Sequence, residues 1–273
     1  MIKQILLIND VAGYGKVGMA AMLPILSYMG LPAFNLPTAL VSNTLDYGEF
    51  SQLDTTDYMR QTFPIWQRLG FHFDAICTGL MFNPEQARLV ADYCRHQADE
   101  GCTVFVDPVM GDGGRLYNGI TSRQVQLMRE MVSVAHLTMP NYTEACYLCG
   151  VPYSKGGITR DVARRMLDSL VLIGARSAII TSCIIDGKNS VCGYNHCNGE
   201  YFFHEYLEIP GLFHGTGDIF SAVLIGSLMN GKPLSESTSK AMNVVREMIL
   251  RQGSDDVDPK RGLFIERCLD LLG

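Results

Sequence analysis

The chain has 273 residues, of which 47% are hydrophobic and 18% charged, with a formal net charge of -6 and a pI near 5.5. That supplies ample apolar material for a packed core and excludes a compositionally disordered chain. No Lys/Arg cluster stands out, so a nucleic-acid partner is not expected and small-molecule chemistry is.

The apolar core of "MIKQILLIND" is too short for a signal sequence or a membrane span, and no later run is long enough to span a bilayer. The chain therefore reads as soluble and cytoplasmic. "IKQILLI" is a first strand, and "GMAAMLPILSYMG" a helix ending at Gly30, whose missing Cβ suits a C-cap. "PAFNLPTALV" is extended, and "DTTDYMRQTFPIWQRLG" is helical with an interruption expected at Pro64. "FDAICTG" is a strand. In "NPEQARLVADYCRHQADEG", Asn83 is the N-cap and Pro84 the first residue of a helix. "TVFVDP" is a strand, "TSRQVQLMREMVSVA" a helix, "HLTMPN" a strand end and "YTEACYLCG" a short helix. "TRDVARRMLDSLVLIGA" is a helix and "SAIITS" a strand, followed by a hairpin turning near Asn198 and Gly199 and then by helices. No linker, repeat or low-complexity tract divides the sequence. Strands separated by helices of this length predict an α/β fold of βαβ units, with a mostly parallel central sheet flanked by helices on both faces, in one domain over residues 1–273.

Nine scattered cysteines are an odd total for a disulfide framework and read as free thiols in or near the core. Cys146 and Cys149 form a C-x-x-C, but it lies in an apolar helical stretch, and a zinc site would also need Cys192 and Cys197 to converge on it.

In parallel sheets ligands bind beyond the carboxyl ends of the strands. "VDPVMGDGGRLY" places Asp107 and Asp112 there, in a glycine-bearing loop. Asp107 suits a hydrated magnesium ion; equally, both aspartates suit turn capping. In "MPNYTEACYL" Asn141 and Glu144 open a helix three residues apart, the spacing of a capping box, which is compatible with a place near a metal and phosphates. Thr181 and Ser182 end a strand with hydroxyls able to donate to phosphate oxygens. In "FHGTGDIFSAVLIG" the residues after Asp218 are apolar nearly all round, so that helix is buried. Its first turn carries unpaired N–H groups and a partial positive charge, and Gly215 and Gly217 allow those amides to converge on an anion. Asp218 then either complements the helix dipole or acts as a general base beside a hole for a transferring phosphoryl group. "AGYGKVG" at 12–18 is not a P-loop, because Val17 stands where a hydroxyl is needed, and its G-x-G-x-x-G lacks the acidic residue of a dinucleotide-binding unit.

Taken in order and spacing, "DPVMGD" (107–112), "MPNYTEA" (139–145), "ITS" (180–182) and "GTGD" (215–218) resemble the ribokinase-like superfamily, and more closely the pyridoxal/pyridoxamine kinases. "INDVAGYGKVG", "LPILSYMG" and "LPTALVSN" are similar to the same branch. The resemblance implies ATP-dependent phosphorylation of the 5′-hydroxymethyl group of a B6 vitamer (pyridoxal, pyridoxamine or pyridoxine), with Mg2+, with or without a monovalent cation, in a homodimer. By the same resemblance, Asp218 takes the hydroxyl proton and Gly215, Thr216 and Gly217 form the anion hole. Asp107 and Glu144 support Mg-ATP through water, Asp112 and Asn141 lie near the phosphates, and Thr181 and Ser182 touch the nucleotide. Asp10, Val41, Ser42 and Leu80 fall at vitamer-pocket positions. Thr44 and Leu45 replace a common His-Thr, and Val41 and Leu80 replace frequent aromatics, so the ring pocket is less aromatic than in many members. Two further readings follow: a kinase of the same fold acting on hydroxymethylpyrimidine or another small alcohol, and an inactive vitamer-binding regulatory protein.

Overall fold

The computed structural model describes residues 2–117, 120–253 and 258–273. The chain forms two compact units, Met1–Ala75 with Ile209–Gly273, and Ile76–Glu208.

The first unit opens with β1 (Ile5–Tyr14), α1 (Met19–Tyr28), β2 (Ala33–Asn43), β3 (Gln52–Asp54) and α2 (Thr56–Leu69). Ile5, Leu6, Leu7 and Ile8 are all fully buried, as a continuous apolar run predicts for a strand covered on both faces. β1 runs on through Asn9 and Asp10, six residues past the apolar run that marks it in the sequence. It pairs in parallel with β2; between Asn9 and Val11 two steps on β1 oppose three on β2, so the surplus residue is a bulge on β2 at Thr38 and Ala39, opposite Asp10. β3 adds antiparallel to β2. The interruption expected at Pro64 does not occur: α2 continues through it from Thr56 to Leu69. A proline removes one ladder hydrogen bond, and here buried Met59 and Phe63 anchor the helix over the same turns.

The boundary between the units falls at the start of β4 (Ala75–Thr78). The second unit continues with α3 (Pro84–Asp99), β5 (Thr103–Val106), the short hairpin β6 (Gly111–Asp112) and β7 (Arg115–Leu116), α4 (Ser122–Val132), β8 (Leu137–Thr138) and α5 (Tyr142–Cys149). After these come α6 (Arg160–Ile173), β9 (Ser177–Ile185), β10 (Lys188–Asn195) and β11 (Glu200–Glu205). Its strands lie in the order β11-β10-β9-β8-β5-β4. β5, β8 and β9 are parallel neighbours, whereas β9, β10 and β11 form antiparallel ladders. Asn83 caps α3 by accepting from the Gln86 N–H at 2.9 Å, with Pro84 first in the helix. The β10–β11 hairpin turns at 196–199, as the Asn-Gly pair predicts.

The chain returns to the first unit with α7 (Thr216–Met229) and α8 (Leu234–Gln252), and α7 packs against α1 and α8. Every α7 residue from Ile219 to Ser227 is buried, which accounts for a helix apolar on all sides. Short 3-10 turns, not a further helix, close the chain. The cysteines are free thiols, seven buried, Cys149 half-buried and Cys197 exposed. Among the described residues no group of three or more His, Cys, Asp or Glu is placed to hold a metal ion. No helix among them is long and apolar enough to cross a membrane.

Candidate active site

In the first unit the structure brings Asp10, Asp218 and the glycines of residues 215–217 together. Gly215 is the N-cap of α7 at φ 78, a left-handed conformation that glycine adopts without strain. A Cβ on it would lie 2.1 Å from the Lys16 carbonyl oxygen. No side chain caps the helix, and the Thr216 hydroxyl instead donates to the Phe213 carbonyl at 3.2 Å. The first-turn amides therefore keep their capacity for an incoming acceptor. Gly217 differs from Gly215: it is exposed, and a Cβ there would meet nothing within 4 Å. Nothing in the chain itself demands a glycine at this position.

The Asp218 carboxylate is half-buried in the first turn of α7. Burial raises its pKa, while the Gly18 backbone N–H and the Asn9 side chain, 3.5 Å away, donate to it and oppose the rise. Asp10, in β1 opposite the β2 bulge, is pushed up to about 7, first by burial and then by the Asp218 charge. Gly18, at φ 54, lies against Asp10 so closely that a Cβ would come within 2.7 Å of its Oδ1. The Gly18 end of the 12–18 segment thus packs on a carboxylate pair and starts α1. Val41 is buried on β2 opposite Ala12. Ser42 is exposed, donates to Asn43 Oδ1 at 2.6 Å and accepts from the Ser51 N–H at 2.9 Å.

In the second unit, Asp107, Asp112, Asn141, Glu144, Thr181 and Ser182 gather beyond β5, β8 and within β9. The capping box on α5 is complete: Asn141 Oδ1 accepts from the Glu144 N–H at 3.0 Å, and Glu144 Oε2 from the Asn141 N–H at 2.9 Å. The other Glu144 oxygen accepts the Met110 N–H at 2.9 Å. This carboxyl is 3% exposed, and burial followed by the Asp107 charge holds it well above the usual range. Glu144 thus ties the loop 107–112 to the start of α5. The Asn141 amide reinforces that tie by donating to the Gly111 carbonyl at 2.8 Å, and Asn141 bridges to Thr181. Asp107 is half-buried, Asp112 exposed and Leu80 half-buried just after β4. Asp107 fits magnesium, which takes one or two carboxylates and completes its shell with water and phosphate oxygens, while Glu144, both of whose oxygens are taken by backbone N–H groups, adds its charge beside Asp107 and holds the loop.

Asn9 and Gly18 as donors to Asp218, and Tyr206 beside Ser182, escape sequence reasoning. Asn9 alone leaves a trace, as a polar residue ending an apolar strand, and it is 4% exposed.

A family model described as phosphomethylpyrimidine kinase matches residues 14–261. The chain belongs to this family. It is 35% identical to a Bacteroides thetaiotaomicron protein that bears the same name, with a TM-score of 0.93 over 100% of this chain and 96% of that one, in an orthorhombic form with pyridoxal. Pyridoxal kinase from Lactobacillus plantarum is 27% identical, with a TM-score of 0.89 over 100% of this chain and 97% of that one. Pyridoxine/pyridoxal/pyridoxamine kinase of Bordetella pertussis is 28% identical over 87% of this chain and 85% of its own. The family member described here is an enzyme, a kinase of the pyridoxal kinase type with a ribokinase-like fold.

Proposed function

We propose that this kinase transfers the γ-phosphoryl group of ATP to the hydroxymethyl group of a B6 vitamer, with the whole chain acting as one kinase domain. The observation that carries the reading is the exposed Gly217 next to Asp218: the fold leaves that space open, and an approaching anion is a reason for it. Asp218 accepts the hydroxyl proton as the new O–P bond forms, and the P–O bond to ADP breaks. The amides at 216–218 stabilise the charge on the migrating group. Asp10 faces the polar edge of the ring, with Val41, Ser42 and Leu80 in the vitamer pocket. Asp107, supported by Glu144, holds Mg2+ through water, and Asp112, Asn141, Thr181 and Ser182 contact the nucleotide. Bound magnesium offsets the charge of the phosphates.

A second reading, a pyrimidine kinase, is favoured by the family description and by the name of the Bacteroides thetaiotaomicron relative. One experiment separates them: kcat/KM for pyridoxal, pyridoxamine, pyridoxine and hydroxymethylpyrimidine with Mg-ATP, in wild type and Asp218→Asn. The expected outcome is a vitamer preference, and a fall in kcat of at least about 10²-fold in the variant with ATP binding retained. A strong pyrimidine preference overturns the substrate; a variant of near-normal turnover overturns the base. Tight vitamer binding without ATP consumption would mark the inactive regulatory reading.

A further inference from the structure

Ser182 is one of two non-glycine residues at positive φ among the described residues, at 57°. The other, Asp186 at 49°, belongs to the Asp-Gly turn joining β9 to β10, where such a conformation is ordinary. Ser182 has no turn to excuse it. It lies inside β9, where Cys183 pairs with Ser190 and Ile180 with Cys192, so three steps on β9 oppose two on β10. The surplus is a bulge at Thr181 and Ser182, and Ser182 is exposed. A strained conformation of this kind persists only where the surroundings hold it.

The hydroxyl of Tyr206 shares a hydrogen bond with that of Ser182. Tyr206 is itself fixed: its N–H donates to the Asn189 carbonyl at 2.9 Å, extending the β10–β11 ladder by one residue. Its phenol also lies within the field of Asp112, so it touches on two of the proposed nucleotide residues from separate elements. Burial and the acidic neighbours Glu208 and Asp112 push it up to about 12, which keeps the O–H protonated at neutral pH.

We infer that Tyr206 is a positioning residue for the phosphoryl donor, holding the Ser182 bulge in the conformation that presents the Thr181 and Ser182 hydroxyls to the nucleotide. This rests on the reading of Thr181 and Ser182 as nucleotide contacts. The test is steady-state kinetics of full-length wild type, Tyr206→Phe, Ser182→Ala, their double variant and Thr181→Ala, with ATP and pyridoxal each varied, alongside thermal melts. Phenylalanine keeps the ring and removes one neutral hydrogen bond, a change of about 2- to 12-fold in a binding constant. The expected result is a KM for ATP raised within that range in Tyr206→Phe and in Ser182→Ala, no further rise in their double variant, and kcat and the KM for pyridoxal within about twofold. Ser182→Ala raising the KM for ATP while Tyr206→Phe leaves it unchanged overturns the role of Tyr206 alone. Ser182→Ala and Thr181→Ala both leaving it unchanged overturns the nucleotide reading and this inference with it. A Tyr206→Phe protein with a lower Tm and both KM values raised has lost general structure, and that too overturns the positioning role.

Discussion

Gly217→Ala separates a helix cap from an anion site, because the two roles give opposite signs. The position is helical and exposed, and an added Cβ meets nothing within 4 Å. Alanine there loses less chain entropy on folding and favours the helix by about 0.5–1 kcal/mol. For a chain of this size that raises Tm by about 1–4 °C. If the first-turn amides bind a migrating phosphoryl group, the same methyl stands in its path. Loss of one such donor costs on the order of 10²-fold in turnover, about 2.7 kcal/mol. Gly215→Ala is the matched control. Its Cβ would fall 2.1 Å from the Lys16 carbonyl at φ 78, so it should lose stability by about 1–3 kcal/mol. Differential scanning fluorimetry gives Tm, and a coupled ADP-release assay gives kcat/KM. A Gly217→Ala enzyme with wild-type kcat/KM refutes the anion hole, whatever its stability.

Two further variants test the carboxylates. The Asp10 pKa is raised from an ordinary 3.8 to about 7, so the folded chain holds that proton more tightly than the unfolded one. Its contribution to stability is full below about pH 4 and is lost as pH rises through about 7. Asp10→Asn should therefore gain stability relative to wild type between pH 5 and pH 8, and parallel melting curves across that window would contradict this. Glu144→Gln turns an NH2 group towards the backbone donors of Met110 or Asn141, and loss of one hydrogen bond to a buried charge costs about 1.5–3 kcal/mol. A Tm lower by about 3–12 °C is expected, and an unchanged Tm would show that the capping box does not hold the 107–112 loop.

The α/β alternation was legible because apolar runs and helical faces obey local periods. Asn83 before Pro84, the capping box at Asn141 and Glu144, and the Asn198-Gly199 turn were legible for the same reason: each is a contact between residues within a few positions. The continuity of α2 through Pro64 was not, because tertiary packing decides it. Nor was the bulge at Ser182, whose partner Tyr206 is 24 residues further along. The donors to Asp218 come from Asn9 and Gly18, some two hundred residues earlier in the chain. Local grammar revealed the loops that carry the site residues, while the groups that tune those residues came only from the fold.

The choice among the buried carboxylates follows from that tuning. A general base at neutral pH must be ionised and must keep an oxygen free for a proton. Glu144 fails the second condition: it is enclosed, and both its oxygens accept backbone N–H groups. Asp10 stands at about 7, raised by burial and by its charged neighbour, so near neutrality it is protonated about half the time. Asp218 is also raised by burial, but the Gly18 N–H and the Asn9 amide favour its charged form, and so does its place in the first turn of α7. Of two coupled carboxylates, the one with donors and a helix N-terminus is favoured in its charged form, and its charge raises the pKa of the other. On the proposed reading, the pair suits Asp218 to the role of base and gives Asp10 a proton to donate towards a ring nitrogen or a phenolate oxygen.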